Sequence, residues 1–446
     1  MAPRPLRTDA RPPRPARPPG GRGAVARRAL VLLLCVAAVA GCRGRPRAEP
    51  PFDVVVVALD GVLADRVSLF GNTRSTAPNL EALARESVTY ARAVSPATWC
   101  VPAVASIATG LWPSWHGAER VARAADGSGT SVARAIDEEA TTLAEILARE
   151  GFRTAAFVGN GDELRPGLGF ARGFSHFDAS PGLARGDVLA ARMADWLARH
   201  SERSFVFASL ADAGDPERDG DADEVGSPPG ATGRSRRSSP EEISRREIAH
   251  DERVAAADRA LGRVVDALRG VGRWEHSLVV VVGDHGVLLG EHGMVGRGRP
   301  PFEPEVRVPL LVKLPAGRRG GEWVERRVST LGVFATVLDA VGVAPPPGVH
   351  SRPLDDLHPV WVEEIDRDGR RMRAGYDGLH AKVLVLDDGG TSVACAIDLL
   401  HDPGEARPDC KPGAAGPLDL AMRWFGERVR PARAEGAVPD PAAAGS

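Results

Sequence analysis

Aromatic residues and unbalanced charge are both scarce in this sequence of 446 residues. Phe, Trp and Tyr make up 5% of it, and 57 basic against 59 acidic residues leave a formal net charge of −2. A nucleic-acid-binding protein usually carries a basic excess and often aromatic side chains on which bases stack. We therefore expect no nucleic-acid partner. The length suffices for one large domain or two ordinary ones.

The sequence also lacks an apolar run of the roughly 20 residues that a comfortable membrane span needs. A shorter run over residues 29–42 follows a segment rich in Arg and Pro and ends in small residues, a layout typical of an export signal. We predict a signal peptide over residues 1–41. The segment Val39-Ala40-Gly41-Cys42 resembles a bacterial lipobox, which implies cleavage before Cys42 and a diacylglycerol on its thiol. The alternative is an uncleaved amphiphilic anchor.

This interpretation predicts an exported protein, lipid-anchored to a bacterial membrane and facing the periplasm or the cell surface. Cysteine is scarce, with five residues, and export would leave only Cys100, Cys395 and Cys410 as thiols. In an oxidising compartment a pair tends to form a disulfide. Cys395 and Cys410 are close in sequence and flank a turn-rich stretch, so we predict that they pair. Cys100 is then an unpaired thiol that needs a chemical explanation.

Helices and strands alternate along most of the chain. Apolar runs at residues 54–59 and 277–283 predict strands that are buried on both faces, as in a parallel sheet. Further strands are predicted at 154–158, 204–211 and 308–314, and helices at 142–150, 187–200, 242–270 and 331–343. A helical pattern also starts at Thr76-Ala77-Pro78 and continues through Leu80, Leu83 and Val88. This alternation predicts an α/β sandwich with a mostly parallel central sheet.

The predicted domain organisation has five parts. A tether covers residues 42–51, and a catalytic domain covers 52–345 with a mobile, polar insertion at 212–240. A small C-terminal α+β subdomain covers 346–430, with strands at 382–386 and 392–398 and a last helix at 418–429. The tail at 431–446 is expected to be disordered.

Two of the most apolar strands each end in an aspartate. Asp60 follows the first, and Asp284-His285 follows the second. Ligands of open α/β sheets bind beyond the carboxyl ends of the strands, so Asp60 and Asp284 should lie at one edge. Two carboxylates and an imidazole form a credible set of ligands for a divalent metal. Either Asp alone could be an ordinary turn or helix-cap residue, because Asp is common at such positions.

Cys100 lies just before Val101-Pro102, a placement that suits the first turn of a helix, which Gly110 would end. Free N–H groups and the helix dipole at such a position favour an anion and lower the pKa of a thiol. The residues alone leave a second interpretation equally open, a small buried apolar cysteine.

Six segments, in order, resemble the sulfatase family of the alkaline-phosphatase-like superfamily. They are Val56 to Asp60, Ala77 to Ala84, Cys100-Val101-Pro102-Ala103 with Ala108-Thr109-Gly110, Gly283-Asp284-His285-Gly286, Gly290-Glu291-His292-Gly293 and Arg307-Val308-Pro309-Leu310. In the tail, Asp398-Leu399 with Asp402-Pro403-Gly404-Glu405 resembles a late segment of the family. The resemblance covers most of the chain, and it implies an alkaline-phosphatase-like fold.

The resemblance also implies roles for individual residues. Asp60, Asp284 and His285 match metal ligands; Ca²⁺ is the first choice, with Mg²⁺ or Zn²⁺ as alternatives. Cys100 matches the nucleophile that sulfatases oxidise to formylglycine, which implies a formylglycine-generating enzyme as a maturation partner. Arg297 matches a cation near the substrate's anion, and His292 an acid or supporting residue. The implied substrate is a sulfated small molecule or glycan.

The sequence departs from the family pattern at four positions. Val104 stands where the family's modification motif has Arg. Gly61 stands where many family members have the second Asp of an Asp-Asp pair. Ser209 and Gly214 occupy positions that normally carry substrate-binding His, while Asp212 is kept. Three hypotheses follow: a hydrolase of sulfate esters, a hydrolase of phosphate or phosphonate esters, and a catalytically degenerate lipoprotein that binds without turnover.

Overall fold

A computed structural model describes residues 53–120, 133–179, 182–214, 238–366, 369–387 and 392–412. The predicted signal peptide, Cys42, the tether, residues 215–237 of the insertion, the last helix and the tail all lie outside these ranges. Within the ranges, every helix is too short or too polar to cross a membrane.

Sixteen strands and eight α-helices occur in the described residues. The strands are β1 (Val54–Leu59), β2 (Val88–Val94), β3 (Arg153–Val158), β4 (His176–Ala179), β5 (Ser204–Leu210), β6 (Leu278–Gly283), β7 (Leu288–Leu289), β8 (Val295–Gly296), β9 (Arg307–Val308), β10 (Leu310–Lys313), β11 (Trp323–Ser329), β12 (Val360–Ile365), β13 (Arg371–Asp377), β14 (Ala381–Asp387), β15 (Ser392–Asp398) and β16 (Asp409–Pro412). The helices are α1 (Pro78–Ala84), α2 (Cys100–Thr109), α3 (Pro113–His116), α4 (Leu143–Arg149), α5 (Gly186–Arg199), α6 (Pro240–Gly270), α7 (Glu303–Val306) and α8 (Gly332–Val341).

The central sheet has the order β11-β2-β10-β6-β1-β5-β3-β4, with β9 paired to β2. The strands β6, β1, β5, β3 and β4 run parallel, and β10 runs antiparallel to both of its neighbours. The predicted α/β sandwich with a mostly parallel sheet is therefore confirmed.

Helices cover both faces of this sheet. Val55 and Val57 of β1 pack with α1, α5 and α6, whereas Val54 and Val56 pack with α4 and α8. All four valines are at most 1% exposed. Burial of one such side chain contributes about 1.5–3 kcal/mol, so β1 is fixed in the middle of the molecule. The strand ends that carry the predicted site are fixed with it.

Two local predictions were wrong. The helical pattern that was extended to Val88 ends at Ala84, because backbone turns at Glu86 and Ser87 lead into β2. Val88 has the right spacing for a helix but starts a β-branched and aromatic run that suits a strand. The strand predicted at 308–314 is split into β9 and β10 at Pro309, which has no N–H for a ladder hydrogen bond.

The described part of the C-terminal region is an antiparallel sheet with the order β12-β13-β14-β15-β16. Hydrogen bonds and ion pairs attach it to the central domain, among them one from the Ser114 N–H to Glu363 of β12. Glu364 of β12 accepts a hydrogen bond from the Thr98 hydroxyl at 2.6 Å. The buried Lys382 amine lies 2.7 Å from Glu405 and 3.3 Å from Glu303 at the start of α7. Charges that are buried this deeply need such partners, so the sheet is held in a defined position.

Cys395 and Cys410 form a disulfide between opposed residues of β15 and β16. The bond closes a loop with a sequence separation of 15, and that loop contains Glu405. Cys100 is the free cysteine of the described residues, and it is buried.

Replacing Cys395 and Cys410 together by Ala should lower the free energy of unfolding by about 3 kcal/mol, because the unfolded chain regains the entropy of a loop of about 15 residues. Urea denaturation of oxidised wild type and of the double variant measures the difference. Wild type under reducing conditions should match the variant. Equal midpoints for all samples would show that the disulfide does not stabilise the fold.

Candidate active site

Asp60 and Asp284 lie side by side because of the register of the central sheet. The strands β1 and β6 are parallel neighbours, with Leu59 opposite Gly283. Each aspartate is therefore the first residue beyond its strand, and the Asp284 N–H donates to the Leu59 carbonyl at 3.2 Å. Both side chains are at most 1% exposed. The structure thus brings together the two carboxylates that the sequence placed at one edge.

His285 completes a cluster with these aspartates. One ligand atom from each of Asp60, Asp284 and His285 lies within 4.8 Å of the others. Asp60 Oδ1, Asp284 Oδ2 and His285 Nε2 are buried and have no hydrogen-bond partner among the described residues. Buried polar atoms almost always have a partner, so three unsatisfied atoms that face one another fit a bound cation. Two oxygens and one imidazole nitrogen suit a divalent metal.

Backbone groups orient two of the three ligands. The N–H groups of Gly61 and His285 donate to Asp284 Oδ1 at 3.2 and 2.7 Å, which leaves Oδ2 for the cluster. His285 Nδ1 lies 2.6 Å from the Gly286 carbonyl. Because a carbonyl can only accept, Nδ1 donates to it, and Nε2 faces Asp60 Oδ1 at 3.2 Å.

Gly61 occupies the position where the family pattern has a second Asp. Its φ of +72° lies in the left-handed region, and a Cβ there would approach the Ala213 carbonyl oxygen to 3.1 Å. A side chain at this position would be strained. The backbone of Gly61 therefore contributes to the site, through its N–H to Asp284 and its carbonyl, which lies 2.9 Å from His250 Nε2.

The charges of the cluster depend on one another. Burial opposes ionisation of Asp60, but His285, Arg297 and Asn160 together hold its pKa below the ordinary value. Burial raises the pKa of Asp284 to about 7, with Asp60 adding to the effect of burial. Burial alone would lower the pKa of His285, yet Asp284 and Asp60 raise it to about 9. The pair of aspartates thus stabilises positive charge between them, as a metal site must.

Asn160 was not identified from the sequence. Its side-chain N–H donates to Asp60 Oδ2 at 3.0 Å and lies 3.2 Å from Glu163 Oε2. It follows β3, which is parallel to β5 and ends at the same edge as β1. The sequence signal that could have identified Asn160 is its position, two residues beyond a predicted strand of the parallel sheet.

Arg297 lies next to the cluster. Its guanidinium is 3.9 Å from Asp60 Oδ1 and forms two hydrogen bonds with the Glu163 carboxylate, at 2.6 and 3.2 Å. The cation expected near the substrate's anion is thus close to the predicted metal ligands. Its carboxylate partner, Glu163, was not identified from the sequence.

Cys100 is the first residue of α2, with Trp99 as its N-cap, and is 0% exposed. Asp60, Asp284, Glu163 and Arg297 are all near enough to influence its thiol. The sequence left two interpretations open, a thiol of lowered pKa and a small buried apolar cysteine. Burial, and after it the negative charges of Asp60 and Asp284, raise the pKa of the thiol well above its ordinary value, although Arg297 lowers it.

Val104 lies one helical turn after Cys100 and is 2% exposed. It packs in an apolar cluster that also contains Cys100, Ile136 and Val158. It also borders a cavity of about 30 Å³ lined mainly by apolar side chains. The position where the family pattern has Arg is therefore part of the core.

The other predicted positions fall into two groups. Gly214 lies against the site, since a Cβ there would be 3.6 Å from Asp60 Oδ1. Asp212 instead accepts the N–H of Gly186 at the start of α5. Ser209 is buried within β5.

His292 stands apart from the cluster. Its ring stacks on Phe302 with 3.7 Å between centroids, and no hydrogen bond or ion pair joins it to Asp60, Asp284 or His285 in the described residues. Burial and then Lys382 lower its pKa. The structure therefore places His292 near Lys382 of the C-terminal sheet. The catalytic role of His292 stays a prediction.

Comparisons with known proteins identify a family and a fold. The sulfatase family model matches residues 53–343. Arylsulfatase K of Canis lupus familiaris is 26% identical over 168 residues, which is 34% of this chain and 31% of that protein. N-acetylglucosamine-6-O-sulfatase of Bacteroides thetaiotaomicron is 29% identical over 123 residues, 28% of this chain and 21% of that protein. The chain thus spans about a third or less of these relatives' length.

Solved structures show the same fold across both sheets. A phosphonate monoester hydrolase of Agrobacterium radiobacter has a TM-score of 0.64 at 19% identity, over 85% of this chain and 94% of that chain. A putative sulfatase from Bacteroides thetaiotaomicron has a TM-score of 0.63 at 18% identity, over 85% and 91%.

Replacing Asp284 by Ala should abolish metal retention, because it removes a ligand oxygen and leaves His285 and Asp60 without their shared partner. Elemental analysis of the purified, dialysed protein measures the bound metal. The matched control is Asp339→Asn, an exposed carboxylate on α8, which should retain the wild-type metal content. Equal metal content in Asp284→Ala and the control would contradict the site.

Proposed function

Because the chain belongs to the sulfatase family, we propose that it is a metal-dependent hydrolase of sulfate esters. One observation carries the proposal: Cys100 and Arg297 converge on the buried cluster of Asp60, Asp284 and His285. Hydrolysis of an anionic ester requires a nucleophile, a cation and a set of metal ligands in one place. The relatives named as sulfatases support sulfate as the first substrate class.

A divalent metal at this cluster, with Ca²⁺ as the first choice and Mg²⁺ or Zn²⁺ as alternatives, supplies Lewis-acid polarisation of the ester oxygens when bound. The protein's own residues do the rest. Arg297 binds an ester oxygen through its guanidinium, and Asn160 fixes the orientation of Asp60. Cys100, either as the thiol or after oxidation to formylglycine, is the nucleophile at the N-terminus of α2.

Hydrolysis of phosphonate or phosphate esters is the second candidate. The fold of a phosphonate monoester hydrolase matches this chain over 85% of its length. The same metal ligands and the same cation suit either tetrahedral anion. Val104 in place of Arg bears on the sulfate hypothesis in particular, because the motif that directs formylglycine formation contains that Arg.

We also propose that the chain is exported and anchored by a lipid on Cys42. The support is the layout of residues 1–42, with a basic segment, a short apolar run and small residues before the cysteine. A disulfide in the C-terminal sheet is compatible with an oxidising compartment.

Protein purified from its own host should release sulfate from an aryl sulfate, and Cys100→Ala should reduce the rate at least 10³-fold, since it removes the nucleophile. Peptide mass analysis of residue 100 identifies formylglycine or thiol. Asp339→Asn is again the control and should keep the wild-type rate. An unmodified thiol together with no sulfate release contradicts the sulfatase proposal. Hydrolysis of a phosphonate ester by the same sample would then establish the second candidate, and no hydrolysis of either would favour a binding protein.

Cys42→Ala should move the protein from the membrane fraction to the soluble fraction and prevent incorporation of labelled fatty acid, because the thiol is the attachment point. Cys35→Ala is the matched control; it lies within the predicted signal peptide and should leave the mature protein on the membrane. Membrane association that persists in Cys42→Ala would favour the uncleaved anchor.

A further inference from the structure

The pair formed by Glu163 and Arg297 is the most exposed part of the candidate site. The Arg297 side chain is 11% exposed and that of Glu163 is 16% exposed, whereas Asp60, Asn160, Cys100, Asp284 and His285 are at most 1% exposed. A ligand that reaches the cluster from solvent therefore meets this pair first.

The pair uses the donors that an anionic ester would use. Two guanidinium nitrogens of Arg297 hydrogen-bond to the two carboxylate oxygens of Glu163, at 2.6 and 3.2 Å. This is the paired geometry in which Arg also binds the oxygens of sulfate or phosphate. A carboxylate of the protein thus occupies the face of Arg297 that the substrate's anion needs.

The position of Glu163 is well defined. Its N–H donates to the Asn160 carbonyl, its Oε2 accepts from the Asn160 side chain, and the next residue, Leu164, is buried in the apolar cluster that contains Cys100. Arg297 is also held in place, since the following residue, Gly298, donates its N–H to Thr98 just before Cys100. Both partners are therefore anchored by contacts of their own chain segments.

The charge balance makes this contact important for binding. Asp60, Asp284 and Glu163 are carboxylates, and Arg297 and the imidazole of His285 lie beside them. Val104, Ser209 and Gly214 provide no positive charge at the positions where the family pattern has Arg or His. Arg297 therefore carries a large share of the attraction for an anion, and Glu163 reduces that share.

We propose that Glu163 is a specificity-determining residue whose carboxylate competes with the substrate's anionic group for Arg297, so that binding requires exchange of the Glu163–Arg297 pair for a substrate–Arg297 pair. This inference rests on the proposed function for the identity of the site. It predicts that only an anion able to form the same paired contact with Arg297 displaces Glu163, whereas neutral esters are excluded.

The test uses inorganic phosphate as the probe and the full-length, metal-loaded protein, with affinity measured by titration calorimetry. E163Q should bind phosphate at least about tenfold more tightly than wild type, because the competing charge is removed. E138Q is the matched control; it also removes one carboxylate, but at an exposed position outside the site, and should bind like wild type. The double variant E163Q/R297A should lose the gain, because the competition acts through Arg297.

E163D provides a second variant if E163Q does not fold, and circular dichroism with a thermal midpoint checks each protein. The shorter carboxylate of E163D keeps the charge but reaches Arg297 less well. The affinity of E163D for phosphate should therefore lie between those of wild type and E163Q. Equal affinity of wild type, E163D and E163Q would overturn the proposal, as would a gain that persists in E163Q/R297A.

Hydrolysis assays on the same samples separate this inference from the proposed function. Release of sulfate by wild type, with no phosphate bound by any variant, would overturn the competition and leave the hydrolase intact. An Arg297-dependent gain in E163Q, with no ester hydrolysed by any sample, would support the competition and contradict the hydrolase.

Discussion

The parallel pairing of β1 with β6 is the constraint on which the rest of the site depends. The register places Leu59 opposite Gly283, so the next residue of each strand, Asp60 and Asp284, must be neighbours. Two buried carboxylates repel each other, and their charged forms have lost the stabilisation that water provides. Positive charge between them offsets both effects. The raised pKa of His285 and the unsatisfied oxygen atoms are both consequences of this forced proximity.

Sequence patterns were informative where one physical signal dominated. Continuous runs of valine in β1 and β6 identified strands buried on both faces, and the rule for strand ends then located Asp60, Asp284 and His285. Pro102 lies in the first turn of α2 and Gly110 ends this helix, as predicted, because each residue has a strong positional preference near a helix end. The helix predicted from residue 142 also begins as predicted, and Thr142 and Glu145 form a capping box at its start.

Sequence patterns were less informative where tertiary contacts decide. Val88 fits both a helical and an extended pattern, and its pairing in the central sheet decides between them. Glu163 is an ordinary acidic residue in a turn until Arg297, 134 residues later, is placed against it. The Cys100 thiol shows the same limit, since burial and neighbouring carboxylates outweigh the helix N-terminus that the local sequence reveals.

The hydrogen bond between Thr98 and Glu364 spans 266 residues of sequence, and it holds the segment that leads into Cys100. Contacts between residues so distant along the chain form late, because the entropy of closing a long loop opposes them. A ribosome makes Thr98 well before Glu364, so the segment that leads into Cys100 lacks this contact until β12 has been synthesised. The order of synthesis therefore delays the final fixing of the segment that precedes Cys100.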